Sequence, residues 1–120
     1  MQTPLSFKNL LSVSQLTHTD ISHLIDQALQ LKSNHKNKQT HFTKPTILAS
    51  LFFEPSTRTR FSFEAAMLNL GGQYINLEQA NTSSLSKGET LEDMGRVMSS
   101  YADIAVIRHP DVTSLEKFSK

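Results

Sequence analysis

The feature that most limits how this chain can fold is the apolar stretch at residues 46–53, TILASLFF, which follows Pro45. A strand with one wet face alternates apolar and polar residues. A nearly continuous run of strand formers instead predicts a strand covered on both faces, as in a parallel sheet. Two more strands are predicted at residues 73–77 (QYINL) and 103–107 (DIAVI). Parallel strands need long crossovers, and the intervals between these runs are long enough to hold helices.

The intervals carry helical periodicity. Ile21, Leu24, Ile25 and Ala28 recur at helical spacing, with Thr19 as the expected N-cap. Residues 33–44 are polar and aperiodic and read as an exposed loop, with His35 and His41 solvated rather than metal-bound. A second helix is predicted over residues 57–70, with Phe63, Ala66, Met67 and Leu70 on its buried face and Gly71 at its C′ position. Thr90-Leu91-Glu92-Asp93 resembles a capping box, with Asp93 where Glu or Gln is usual, and Met94, Val97, Met98 and Tyr101 continue that helix. Thr113 to Glu116 opens a fourth. The expected fold is therefore α/β: a parallel sheet flanked by helices in three αβα layers.

Composition removes several alternatives. The 120 residues contain no cysteine, so disulfide scaffolds and cysteine-bound zinc are excluded. No apolar run approaches a membrane span, and the first residues show no secretory pattern, so the expectation is a cytoplasmic protein without membrane contact. The formal net charge of +1 hides a first half at +4 and a second at −3, and neither half carries a polybasic tract for nucleic acid. The chain ends a few residues into its last predicted helix. It therefore reads as one domain, residues 1–120, incomplete at its C-terminal end.

The four arginines, Arg58, Arg60, Arg96 and Arg108, are distributed unevenly with respect to these elements. Ligands of open parallel sheets bind beyond the carboxyl ends of the strands. Arg58 follows the first strand and Arg108 the third, so their guanidinium forks can converge on one rim. Between the first strand and its helix lies Glu54-Pro55-Ser56-Thr57-Arg58-Thr59-Arg60. Helix-start amides, three hydroxyls and an arginine fork would form a phosphate cradle without a glycine-rich loop. The alternative is that the hydroxyls cap the helix and the arginines are solvated. Arg60 has Glu64 four residues on as a rival partner, and Arg96 has Glu92. A second polar loop, residues 81–90, places Asn81, Thr82, Ser83 and Lys87-Gly88 beyond the second strand. Lys87 either reaches a neighbouring pocket or is solvated.

Phe52-Phe53-Glu54-Pro55-Ser56-Thr57-Arg58-Thr59-Arg60 closely resembles the signature of the carbamoyltransferases. Asn81-Thr82-Ser83 with Lys87-Gly88-Glu89-Thr90, and then Arg108-His109-Pro110, resembles the aspartate branch and its N-terminal, carbamoyl-phosphate-binding domain. The resemblance runs from about Phe7 to the end of the chain. It implies that Ser56, Thr57, Arg58 and Thr59 bind the phosphate of carbamoyl phosphate. Thr59 and Arg108 would reach the carbonyl oxygen. Ser83 and Lys87 would enter the neighbouring subunit's site in a homotrimer, where Lys87 meets phosphate and the aspartate carboxylate. His109 is expected to be structural.

The implied reaction moves the carbamoyl group to the amino group of L-aspartate, releasing phosphate, an early step of pyrimidine biosynthesis. Catalytic roles fall to Arg58, Thr59, Lys87 and Arg108, with neither metal nor organic cofactor. Regulatory chains are a further implied partner. The family's catalytic histidine and aspartate-gripping second domain would lie past Lys120, so the 120 residues are expected to bind anion without turnover and to be poorly stable alone. The competing readings are an ornithine or other carbamoyltransferase, a non-catalytic anion-binding or assembly module, and a plain α/β domain with capped helices.

Overall fold

The computed structural model of the chain describes residues 5–35, 41–77 and 88–120. It divides into two compact units, residues 1–40 and 41–120. In the first, a short 3-10 turn at Val13–Gln15 precedes helix α1, His18–His35. The helix starts two residues earlier than periodicity predicts. Thr17 rather than Thr19 occupies its cap: the Thr17 hydroxyl accepts from Asp20 N at 3.1 Å, and Asp20 Oδ2 accepts from Thr17 N at 2.9 Å and its hydroxyl at 2.7 Å. This reciprocal pair satisfies helix-start donors that the Thr19 assignment would leave open. The helix also runs through Ser33 and Asn34, further than the predicted boundary.

The second unit holds β1 (Ile47–Phe52), α2 (Arg58–Asn69), β2 (Gln73–Leu77), α3 (Leu91–Tyr101), β3 (Ile104–Arg108) and α4 (Ser114–Phe118). The strands form a three-stranded parallel sheet in the order β2-β1-β3. As the apolar run requires, β1 is central, and Leu48, Ala49, Leu51 and Phe52 make up most of the buried apolar core with Met67 and Met94. The edge strands are far more open, β2 on four of its five residues. With right-handed crossovers this strand order requires α2 and α3 on opposite faces, which gives the three layers.

Helix α2 ends in a Schellman motif. Gly71 adopts φ +76°, Gly72 N–H bonds Met67 O at 2.9 Å and Gly71 N–H bonds Leu68 O at 3.0 Å. Its buried face differs from expectation. Glu64 and Met67 are buried, whereas Phe63 and Ala66 face out. The reason is a polar contact inside: Ser50, in the middle of β1, donates to Glu64 Oε1 at 2.9 Å. Helix α3 opens on the expected N-cap, with the Thr90 hydroxyl accepting from Asp93 N, but Asp93 Oδ2 takes its hydrogen bond from that hydroxyl rather than from the Thr90 amide a capping box would use. Met94 is buried and Met98 partly so, but Val97 and Tyr101 are exposed. Gly95 meets the backbone of α4, where the carbonyl of Phe118 occupies the space a side chain would need.

Candidate functional site at the carboxyl rim of the sheet

The chain leaves β1 toward β2 on one side, while β3 lies on the other, so the carboxyl ends of β1 and β3 flank a topological switch point. Register pairs Phe52 with Arg108, and Phe53 N–H bonds Arg108 O at 2.9 Å. Strand side chains alternate faces, so Arg108 falls on the same face as Phe52 and Ser50, the face that α2 covers. The first turn of α2, with Arg58 and Thr59, begins at this same carboxyl end of the sheet, and α2 then packs over β1 and β2.

That first turn has no side-chain cap. Thr57 stands at the N-cap position with helical backbone angles, φ −101° and ψ −57°, and its hydroxyl makes no capping hydrogen bond. Among the described residues, the hydroxyls of Ser56, Thr57 and Thr59 and the guanidinium of Arg58 have no polar side-chain partner. Elsewhere the same chain caps α1 with Thr17 and α3 with Thr90. The capping alternative for Thr57 thus fails where it could most easily have held. A helix start with free amides, unspent hydroxyls and an unpaired arginine attracts an anion by dipole, hydrogen bonding and charge together.

Arg108 is not idle. Its Nε donates to Glu54 Oε2 at 3.0 Å, with the two side chains 48% and 36% exposed. Glu54 is the residue that sequence reasoning missed in the rim. Its place in the Glu54-Pro55-Ser56 segment was visible, but the register that brings it to Arg108 was not. The pair holds the guanidinium by one edge. The terminal amino groups make no hydrogen bond among the described residues.

The remaining predicted residues sort clearly. Arg60 turns to Glu64, Nε to Oε1 at 3.8 Å, and its guanidinium lies 4.9 Å from the centre of the Phe61 ring. Arg96 pairs at the surface with Asp93 at 2.9 Å, three residues back, rather than with Glu92. His109 packs edge-on against Phe53 with centroids 4.9 Å apart, and its Nδ1 accepts from Asp111 N at 2.9 Å. Both contacts fasten the chain directly after Arg108. Asp111 then accepts from the Thr113 amide and hydroxyl and pairs with Lys117 at 2.8 Å. The Lys117 ammonium, with help from Thr113, holds the Asp111 carboxyl well below the usual carboxylate range and raises Lys117 in return. Asn81, Thr82, Ser83 and Lys87 lie outside the described residues. A hollow of about 440 Å³ sits at the opposite, amino end of the strands between Phe42, Lys44, Pro45 and Gln73, and contains none of the predicted site residues. No described helix is long and apolar enough to cross a membrane.

An uncapped, arginine-bearing helix start at the switch point of its sheet places the chain among open parallel α/β domains whose rim is suited to an anion. Its family is now identified: residues 8–120 match the aspartate/ornithine carbamoyltransferase, carbamoyl-P binding domain, and the chain belongs to that family. The aspartate carbamoyltransferase catalytic subunit of Haloquadratum walsbyi is 47% identical over 102 residues, covering 85% of this chain and 33% of that protein. The corresponding subunit of Clostridium acetobutylicum is 63% identical over 70 residues, 58% of this chain and 23% of that one. Among solved structures, the catalytic subunit of M. jannaschii aspartate transcarbamoylase superposes with a TM-score of 0.82 at 39% identity, covering 91% of this chain and 38% of that chain. The Trypanosoma cruzi enzyme in complex with carbamoyl phosphate and aspartate gives 0.80 at 38%, over 92% and 37%. The chain spans about a third of the length of these relatives.

Proposed function

We propose that the carboxyl rim of this domain is the carbamoyl-phosphate half of an aspartate carbamoyltransferase site. The observation that carries the reading is the open first turn of α2. Ser56, Thr57, Arg58 and Thr59 stand there without polar side-chain partners among the described residues, at the same end of the sheet as an Arg108 that Glu54 holds by one edge. The relatives named above are aspartate enzymes, and one was crystallised with carbamoyl phosphate and aspartate.

In the proposed reaction the amine of L-aspartate attacks the carbamoyl carbon. A C–N bond forms, the C–O bond to phosphorus breaks, and the amine proton leaves with phosphate or solvent. Arg58, the three hydroxyls and the helix-start amides hold the phosphate and stabilise it as it departs. Thr59 and the free amino groups of Arg108 face the developing oxyanion, where preorganised donors lower the barrier. Ser83 and Lys87, beyond the carboxyl end of β2, complete the site of a neighbouring subunit in a trimer. Regulatory chains and a cytoplasmic location belong to the same reading.

Titration of the chain with carbamoyl phosphate or inorganic phosphate tests it. Arg58→Ala is expected to weaken binding roughly tenfold to a hundredfold, the loss of a charge-assisted hydrogen-bond pair. Equal affinity in the variant overturns the assignment. Assaying the complete protein with L-aspartate and then L-ornithine as acceptor decides the branch.

A further inference from the structure

The groups assigned to the anion sit on the first turn of α2, but what orients that turn lies beneath it. Ser50 is wholly shielded from solvent, and Glu64 is only 5% exposed. The Ser50 hydroxyl donates to Glu64 Oε1 at 2.9 Å, and that same oxygen lies 3.8 Å from Arg60 Nε. Burying a carboxylate is unfavourable unless it is paired, and apolar residues of similar volume often serve stability as well or better. What this arrangement supplies is direction. A hydrogen bond from the midpoint of the central strand fixes both the rotation of α2 about its axis and its height along β1. Glu64 stands seven residues, about two turns, after Thr57 and therefore on the same side of the helix. Any rotation at Glu64 is passed through the rigid helix to the rim.

The network also separates two arginines. Arg58 and Arg60 both stand at the positive end of the helix dipole, where cations are disfavoured. Glu64 lies within ion-pair range of Arg60 inside the fold, 3.8 Å from a buried Nε that makes no hydrogen bond among the described residues. Arg58 is left to face the rim.

We propose that Glu64, held by Ser50, is the positioning residue of the anion site: it sets the rotation and height of α2 on β1 and keeps Arg60 inward, so that Arg58 and the first-turn amides meet the phosphate. This rests on the reading of that turn as a phosphate cradle, and one experiment separates the two. Inorganic phosphate is titrated into the 120-residue chain and into Arg58→Ala, Glu64→Gln and Ser50→Ala, with the folded state of each checked by circular dichroism. Positioning makes Glu64→Gln and Ser50→Ala bind roughly fivefold to tenfold more weakly, the equivalent of about one hydrogen bond. Simple electrostatics has the opposite sign, since deleting a carboxylate near an anion site tightens binding. Unchanged or tighter binding by Glu64→Gln therefore overturns the positioning role. Should that variant fail to fold, Ser50→Ala, which removes one hydroxyl, decides in its place, and unchanged affinity there overturns the role equally. If the parent chain binds no phosphate, or Arg58→Ala binds as well as the parent, the cradle itself is overturned and the positioning role with it. Sensitivity to Arg58→Ala alone removes only the positioning role.

Discussion

Two carboxylates flank the first turn of α2 and act on an anion in opposite ways. Glu64 is buried and holds the turn from below. Glu54 is half exposed at the rim and occupies Arg108 Nε at 3.0 Å. An exposed pair of this kind contributes little to folding, about 0.5 kcal/mol or less. It does, however, place a negative charge where a phosphate would sit. Glu54→Ala is therefore expected to leave the thermal midpoint almost unchanged and to tighten phosphate binding a few-fold at low ionic strength. The gain should vanish at about 1 M salt, where screening reaches only a few ångströms. Calorimetric titration at two salt concentrations checks both statements, and weaker binding at low salt would sink them. The positions of Arg58 and Arg108 at the ends of β1 and β3 were legible in the sequence, because the strands themselves were. Glu54's part was not, because it depends on the pairing of β1 with β3.

At the scale of elements, the strands were the most readable. All three fall within one residue of expectation, because an apolar run between polar loops has few ways to form a parallel strand. The helices misled where burial was assumed to follow hydrophobicity. In α2 the apolar stripe through Phe63 and Ala66 is outside, and a serine–glutamate contact is inside. A serine in the middle of an apolar strand was the one available sign of that. The α1 cap lies outside the apolar periodicity, which begins only at Ile21, although Thr17-His18-Thr19-Asp20 has the same spacing as Thr90 to Asp93. The α3–α4 contact gives a test at this scale. A Cβ at residue 95 would collide with the Phe118 carbonyl, which is backbone and cannot rotate away. Gly95→Ala should push α4 off α3 and cost about 1–3 kcal/mol, as overpacking does. Chemical denaturation measures this, and an unchanged midpoint with an unchanged slope would contradict it.

For the molecule as a whole, the division into two units predicts different responses to acid. Asp20 in the first unit is buried and accepts hydrogen bonds from Thr17 and Ser6, which lower its carboxyl to about 2. Because the folded value lies below the ordinary one, the charged form is favoured by folding. Its contribution is complete above about pH 4 and fades as the pH falls toward 2. Asp20→Asn should lower the thermal midpoint near neutrality and flatten its decline between pH 4 and 2 relative to the parent. Melting curves across that window test the sign, and parallel declines in both chains would refute it. The second unit loses its Asp111–Lys117 pair only in stronger acid, since that carboxyl is depressed further.

The open start of α2 carries a consequence for the chain's thermodynamics. A helix that lacks its own cap is an unfinished piece of secondary structure, and a bound phosphate would supply what the sequence withholds at Thr57. Ligand and fold are then linked by mass action, so occupancy raises stability logarithmically with free anion concentration. An anion at that turn would then act as the helix's missing first residue, so that the stability of α2 would report how fully the rim is occupied.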